Sequence, residues 1–147
     1  MANVYVGIDP GKSGAIAVIY ADGTVEVSPF DIVEYCTLLG HLRFHDAVCC
    51  VEKVGAMPGQ GVVSMFSFGH NFGIIEGLLT ANCIPYQLVP PYTWKKEFSL
   101  SSDKAKSIEV CQKLFPNVSL LATPRSRKPH DGMAEALLLA EYARRKM

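Results

Sequence analysis

The sequence predicts an α/β fold: a mixed five-stranded sheet, three antiparallel strands then two parallel ones, flanked by helices in a single domain over residues 1–147. Three observations carry this expectation. Residues 4–10, 15–20 and 24–28 are short apolar segments rich in β-branched residues and separated by the turn sequences GKSG and ADG, which makes an antiparallel meander. Downstream, helical periodicity alternates with apolar runs of strand length at 47–51 and 84–89, the signature of parallel strands joined by helical crossovers. A chain of 147 residues, 49% of them hydrophobic, is enough for one well-packed core and argues against a second.

Taken in order, VYVGIDP at 4–10 is a strand ending in one carboxylate, and Gly11 and Gly14 supply the reversal into the second strand. Pro29 ends the meander. Ile32, Tyr35, Leu38, Leu39 and Leu42 then fall at helical spacing over 31–42. The unbroken apolar run at 47–51 belongs in the centre of the sheet and is closed by Glu52. The Gly- and Pro-punctuated loop at 54–61 lacks the GxxxxGK pattern of a phosphate loop. Residues 62–81 read as one long helix in which Gly69, Gly73 and Gly77 recur every four residues. This bare stripe is expected to lie against the sheet, leaving Met65, Phe66 and Phe68 as a partner surface. Pro90 and Pro91 stop the fifth strand. Aromatics and lysines interleave over 92–96, a pattern that suits a nucleic-acid backbone contact and equally suits Trp94 plugging the core edge. Ser102 is the expected cap of a helix over 103–114, Pro116 ends it, and a basic loop leads to a helix over 131–145 with Ala134, Leu137, Leu138 and Tyr142 at core spacing.

The formal net charge is zero but unevenly spread. Residues 1–90 carry 3 basic and 8 acidic side chains, whereas residues 91–147 carry 11 basic and 6 acidic. Such a basic half could draw a polyanion toward an acidic site supplied mainly by the first half. Five cysteines without a CxxC pair read as free, buried thiols, which points to a reducing, cytoplasmic setting and away from zinc or disulfides. No segment is expected to reach the length of a membrane span, and the first residues lack a signal core.

Two strands end in carboxylates, Asp9 and Glu52, at the edge where α/β sheets hold ligands. Taken singly, Asp9 is also a common turn former and Glu52 beside Lys53 an ordinary solvated pair. Asp131 and Glu135 share one face of the final helix at its first turn. Separately they too have plain readings, a helix cap and a surface residue. Brought together, the four carboxylates would repel one another, and a fold keeps such a cluster where cations neutralise it. An all-oxygen ligand set favours Mg²⁺, with Mn²⁺ as substitute. Two such ions about 3.5–4 Å apart serve phosphodiester hydrolysis by activating a water and steadying the departing oxygen. His130 and the RSRKPH run would contact phosphate, or His130 could donate to a leaving group.

These pieces form an ordered set: GIDPGKSGAIAVI at 7–19, CCVEKV at 49–54, LVPPYTWKK at 88–96, DKAKS at 103–107 and HDGMAEALLLAEYARR at 130–145. Together they resemble the RNase H-like superfamily and, within it, the RuvC-type Holliday junction resolvases, especially the short forms of bacteriophages and their Gram-positive hosts. The resemblance implies a homodimeric, Mg²⁺-dependent crossover junction endodeoxyribonuclease that cuts two strands of a four-way junction symmetrically, leaving 5′-phosphate and 3′-hydroxyl ends. It would act in the cytoplasm of a bacterial or phage-infected cell. Asp9 matches the first-strand aspartate, Glu52 the central-strand glutamate, and Glu135 the acidic position of the last helix, where bacterial enzymes usually have aspartate. The family's remaining ligand lies three residues before that position, which is Gly132 here; Asp131 and His130 stand beside it instead. Lys104 resembles a basic residue near the scissile phosphate, and Lys106 one on the DNA backbone. Residues 57–68 correspond to the segment that reaches the junction centre, with Phe66 or Phe68 as the wedging aromatic. Lys53, Met57 and Gln60 in the preceding loop, Lys95 and Lys96, and Arg125, Arg127 and Lys128 complete the expected DNA contacts.

Two other function classes fit parts of the sequence. An ATPase of the actin and sugar-kinase type also opens on an aspartate and a glycine-rich turn, but it needs two domains to clamp its nucleotide. A DNA-binding module without chemistry has no use for the acidic cluster. Within the nuclease reading, replication forks, three-way junctions and RNA compete with four-way junctions as substrate, and a basic half cannot choose among these shapes.

Overall fold

The computed structural model describes residues 2–147. Its strands are β1 (Val4–Asp9), β2 (Ala15–Ile19), β3 (Val25–Pro29), β4 (Ala47–Glu52) and β5 (Tyr86–Val89), joined in one sheet of order β3-β2-β1-β4-β5. β1 to β3 pair antiparallel, whereas β1 with β4 and β4 with β5 pair parallel, as the alternation of turns and crossovers requires. The helices are α1 (Ile32–Leu42), α2 (Val62–Ala81), α3 (Pro91–Glu97), α4 (Lys104–Leu114) and α5 (Asp131–Lys146).

Strand alternation divides the core in two. Val4, Val6, Ile8, Cys49 and Val51 point to the face covered by Tyr35 and Leu39 of α1 and by Ile75 and Leu79 of α2. The opposite face, with Ala15, Ala17 and Cys50, carries α5. α5 is buried almost all round, from Gly132 through Glu141, because α4 closes over its outer side. Its approach to the sheet is set by Gly7. A Cβ there would lie 2.1 Å from the carbonyl oxygen of Ala136 and 2.2 Å from the nitrogen of Ala140, so the backbones of β1 and α5 touch where any side chain would hold them apart.

Several expectations are corrected. Pro91 does not merely stop β5; it starts α3 as the first helical residue, where its missing N–H costs nothing. The cap of α4 is Asp103, whose carboxylate accepts from the Ala105 N–H at 3.0 Å, rather than Ser102. All five cysteines are free, but Cys36 and Cys83 are exposed, so only three are buried.

The largest difference concerns α2. It docks through its Ile75 and Leu79 edge, and nothing lies within 4 Å of a Cβ built on Gly69, Gly73 or Gly77. The glycine stripe therefore faces open space and not the sheet. Val62, Val63 and Phe66 on the same helix are about four-fifths exposed, at 82%, 83% and 78%. With 20 residues and a mean hydropathy of 1.2, α2 also has the length and composition to cross a bilayer, contrary to the expectation that no segment would. Only Ile75 and Leu79, in its C-terminal half, are buried in the core.

Candidate active site

Parity along the sheet builds the site. Gly7 and Asp9 of β1 share one face with Cys50 and Glu52 of β4, and the register Ile8 to Val51 brings the two strand-ending carboxylates side by side. Because Gly7 lets α5 touch down on this face at Ala136, Glu135 arrives one residue away, above Asp9. One oxygen from each of Asp9, Glu52 and Glu135 lies within 4.8 Å of the others.

Glu52 and Glu135 are 8% and 5% exposed, too buried for water to screen them. At 4.8 Å and an effective dielectric near 20, each charged pair repels by about 3 kcal/mol. Burial, then Glu52 and Glu135, push the Asp9 carboxyl up to about 8, while Lys104 opposes the shift. Burial likewise raises Glu52 and Glu135 above the usual carboxylate range. Glu135 Oε1 is buried without a hydrogen-bond partner, and Lys95 Nζ stands 3.9 Å away, beyond hydrogen-bond range. A buried carboxylate that has an oxygen without a hydrogen bond and stands beside two further carboxylates fits a hard divalent cation.

Asp131 is not in this group of three. Its carboxylate pairs with Lys104 at 2.8 Å, the lysine largely exposed and the aspartate half-buried. That bond is the first cause holding Asp131 below the usual carboxylate range. The neighbouring Gly132 cannot carry a ligand. A Cβ there would sit 2.4 Å from the Ser13 carbonyl oxygen and 2.8 Å from the His130 ring, because the β1–β2 turn packs directly on the start of α5. His130 caps that helix, its Nδ1 accepting from the Met133 N–H at 3.0 Å, so its ring proton resides on Nε2.

The remaining expected contacts are dispersed. Lys53, Lys96, Lys106, Arg125, Arg127 and Lys128 are exposed. Lys95 is not; it turns inward over the Trp94 ring at 5.5 Å and faces Glu135. Gln60 is used as a turn brace, its Oε1 accepting from the Met57 N–H at 3.2 Å, while Met57 itself stays 68% exposed. Phe68 covers Gly11 of the β1–β2 turn, its ring 3.5 Å from a Cβ built there, and stacks with Phe72, whereas Phe66 projects from the bare face of α2. The sequence reading overlooked Lys12, which sits in the glycine turn and shares a cleft with Gln60, Ser64 and Asn71. It also missed one contact made by Trp94. The side chain is fully buried, as core plugging requires, yet its indole N–H donates to Glu52 Oε2 at 2.8 Å. The one signal in the sequence was Pro90-Pro91, which starts α3 directly after β5.

No protein-family model matches the chain, and no curated protein sequence matches it. Solved structures do. RuvC of Thermus thermophilus in complex with a Holliday junction superposes with a TM-score of 0.64 at 15% identity, covering 97% of this chain and 96% of that one. A second structure of Thermus thermophilus RuvC gives 0.56 at 14% identity over 93% and 90%. At such identity the likeness establishes the fold, the RuvC variant of the RNase H-like sheet.

Proposed function

We propose that this chain is a metal-dependent endodeoxyribonuclease that resolves four-way DNA junctions by paired phosphodiester hydrolysis. The observation that carries this reading is the acidic triad, assembled from β1, β4 and α5, in which Glu135 keeps a buried oxygen without a hydrogen bond. Asp9, Glu52 and Glu135 would hold the cation, with Asp131 available to a second one once Lys104 leaves it. Bound Mg²⁺ or Mn²⁺ would polarise the phosphate and acidify the attacking water.

The chain's own groups supply the rest. Lys104 exposes 67% of its side chain and can turn from Asp131 to a phosphate oxygen, neutralising the charge that grows there. His130, with its proton on Nε2, is placed to donate to phosphate or to the leaving oxygen. Water bonds to phosphorus, the P–O3′ bond breaks, and a proton passes to O3′, leaving 5′-phosphate and 3′-hydroxyl ends. The exposed Lys96, Lys106, Arg125, Arg127 and Lys128 hold the DNA backbone.

Two symmetric cuts need two sites, and α2 supplies the means. Val62, Phe66, Gly69, Gly73 and Gly77 fall on one exposed helical face, two large side chains followed by three gaps. Paired with a second copy about a two-fold axis, the large residues of each helix fill the gaps of the other. The same face explains the apolarity of α2 without a bilayer. Five free cysteines suit the reducing cytoplasm of a bacterial or phage-infected cell.

The test is cleavage of a labelled four-way junction in Mg²⁺ and in Mn²⁺, beside fork, three-way, linear duplex and RNA substrates, with Asp9→Asn as control. Paired symmetric nicks in the junction, lost in the variant, are expected. Preferential cutting of forks would move the substrate within the same chemistry, and junction binding without cleavage would reduce the chain to a binding module.

A further inference from the structure

We propose that Trp94 is a positioning residue: its indole N–H fixes Glu52 in the orientation that receives the divalent cation. The inference rests on the nuclease reading above and names a residue through which the triad is held.

The bond is short at 2.8 Å and lies wholly within the protein, with Trp94 0% exposed and Glu52 8%. The indole is itself immobilised. Phe98 meets it edge-on with centroids 6.5 Å apart, Lys95 Nζ covers its ring at 5.5 Å, and the Arg145 guanidinium lies over Phe98 at 5.0 Å. The backbone ties the two ends together: Glu52 pairs with Val89, and the Lys53 N–H donates to the Val89 carbonyl at 2.7 Å. α3 begins at Pro91 and delivers Trp94 five residues after Val89.

The kind of donor matters. An indole gives one hydrogen bond and carries neither charge nor a titrating proton at working pH. It therefore orients Glu52 without neutralising it and leaves the second oxygen free for a cation. A lysine in its place would compete with the metal for the same charge. Lys95, the next residue, shows the contrast: it offers Glu135 a counter-charge at 3.9 Å but no hydrogen bond.

Trp94 is the only tryptophan in the chain, so its emission reports on Glu52 directly. Titrating the metal-free protein with Mg²⁺, which does not itself quench, is expected to shift Trp94 emission saturably, and the shift is expected to vanish in Glu52→Gln. In Trp94→Phe, which keeps an aromatic ring but lacks the N–H, calorimetry should find Mn²⁺ bound about 10–100-fold more weakly, with the far-ultraviolet circular dichroism unchanged. Wild-type Mn²⁺ affinity in a folded Trp94→Phe would overturn the positioning role and leave the nuclease reading intact. An emission unmoved by saturating Mg²⁺ in a protein that binds the ion would do the same, and it decides the matter should Trp94→Phe not fold. A wild-type protein that binds neither ion would overturn both readings.

Discussion

Replacing Asp9 by Asn should stabilise the metal-free protein while removing its response to Mg²⁺. The folded-state pKa of Asp9 is raised to about 8 from an ordinary value of 3.8, so between these pH values the folded chain holds a proton that the unfolded chain has lost. Stability is then fully present below about pH 4 and falls as pH rises toward 8, with a slope of about 1.4 kcal/mol per pH unit for one whole proton. That slope gives a ceiling of about 4 kcal/mol at pH 7. The direct repulsion of a charged Asp9 by one neighbour at 4.8 Å gives about 3 kcal/mol, in the same range. Asn cannot ionise in either state and escapes the loss. A gain of about 3 kcal/mol corresponds to a rise in Tm of roughly 6–12 °C for a chain of this size. Thermal unfolding followed by circular dichroism in chelator, from about pH 5 to about pH 9, measures it. Wild type should lose stability across this range, and the variant should decline less steeply. Saturating Mg²⁺ should then raise the wild-type Tm and leave the variant unmoved. A variant no more stable than wild type in chelator at neutral pH, or one that gains equally from Mg²⁺, would refute the reasoning.

Other perturbations separate the parts of the molecule. Gly7→Ala puts a methyl group 2.1 Å from the Ala136 oxygen and should cost about 3 kcal/mol or more, seen as a large fall in the denaturation midpoint. Lys104→Ala should leave Mn²⁺ affinity by calorimetry unchanged or tighter, since Asp131 loses a competitor, and reduce single-turnover cleavage by about 10²-fold. Phe66→Asp should give a monomer by light scattering with Mn²⁺ binding retained, because Phe66 is exposed on the open face of α2 and is not one of the triad's ligands.

Much of this molecule is legible in its sequence, for physical reasons that differ from part to part. Strand-ending carboxylates at 9 and 52 stand out because an ionisable group closing an apolar run has no packing role, and their parity places them on one face. Glu135 follows from helical spacing. Asp131 looked equivalent by the same spacing, but a helix start is also where a nearby lysine can compete, and Lys104 does. The glycine stripe of α2 was misplaced because spacing identifies a bare face without saying what it faces. Trp94 was readable as core, yet its bond to Glu52 depends on the register between β4 and β5, which no local pattern encodes. Gln60 Oε1 and His130 Nδ1 also accept from backbone N–H groups, local bonds that residue type alone does not announce.

The contact between Gly7 and the backbone at Ala136 and Ala140 joins residues about 130 positions apart along the chain. Closing so long a loop costs entropy that only the completed sheet-to-helix interface returns. Any partly folded form that lacks this closure holds Asp9 and Glu52 without Glu135, and so has an incomplete triad to offer a cation. Metal affinity at the triad would thus be a readout of topology: the chain would acquire it together with this long-range contact, and local opening of α5 would erase it while the meander is still intact.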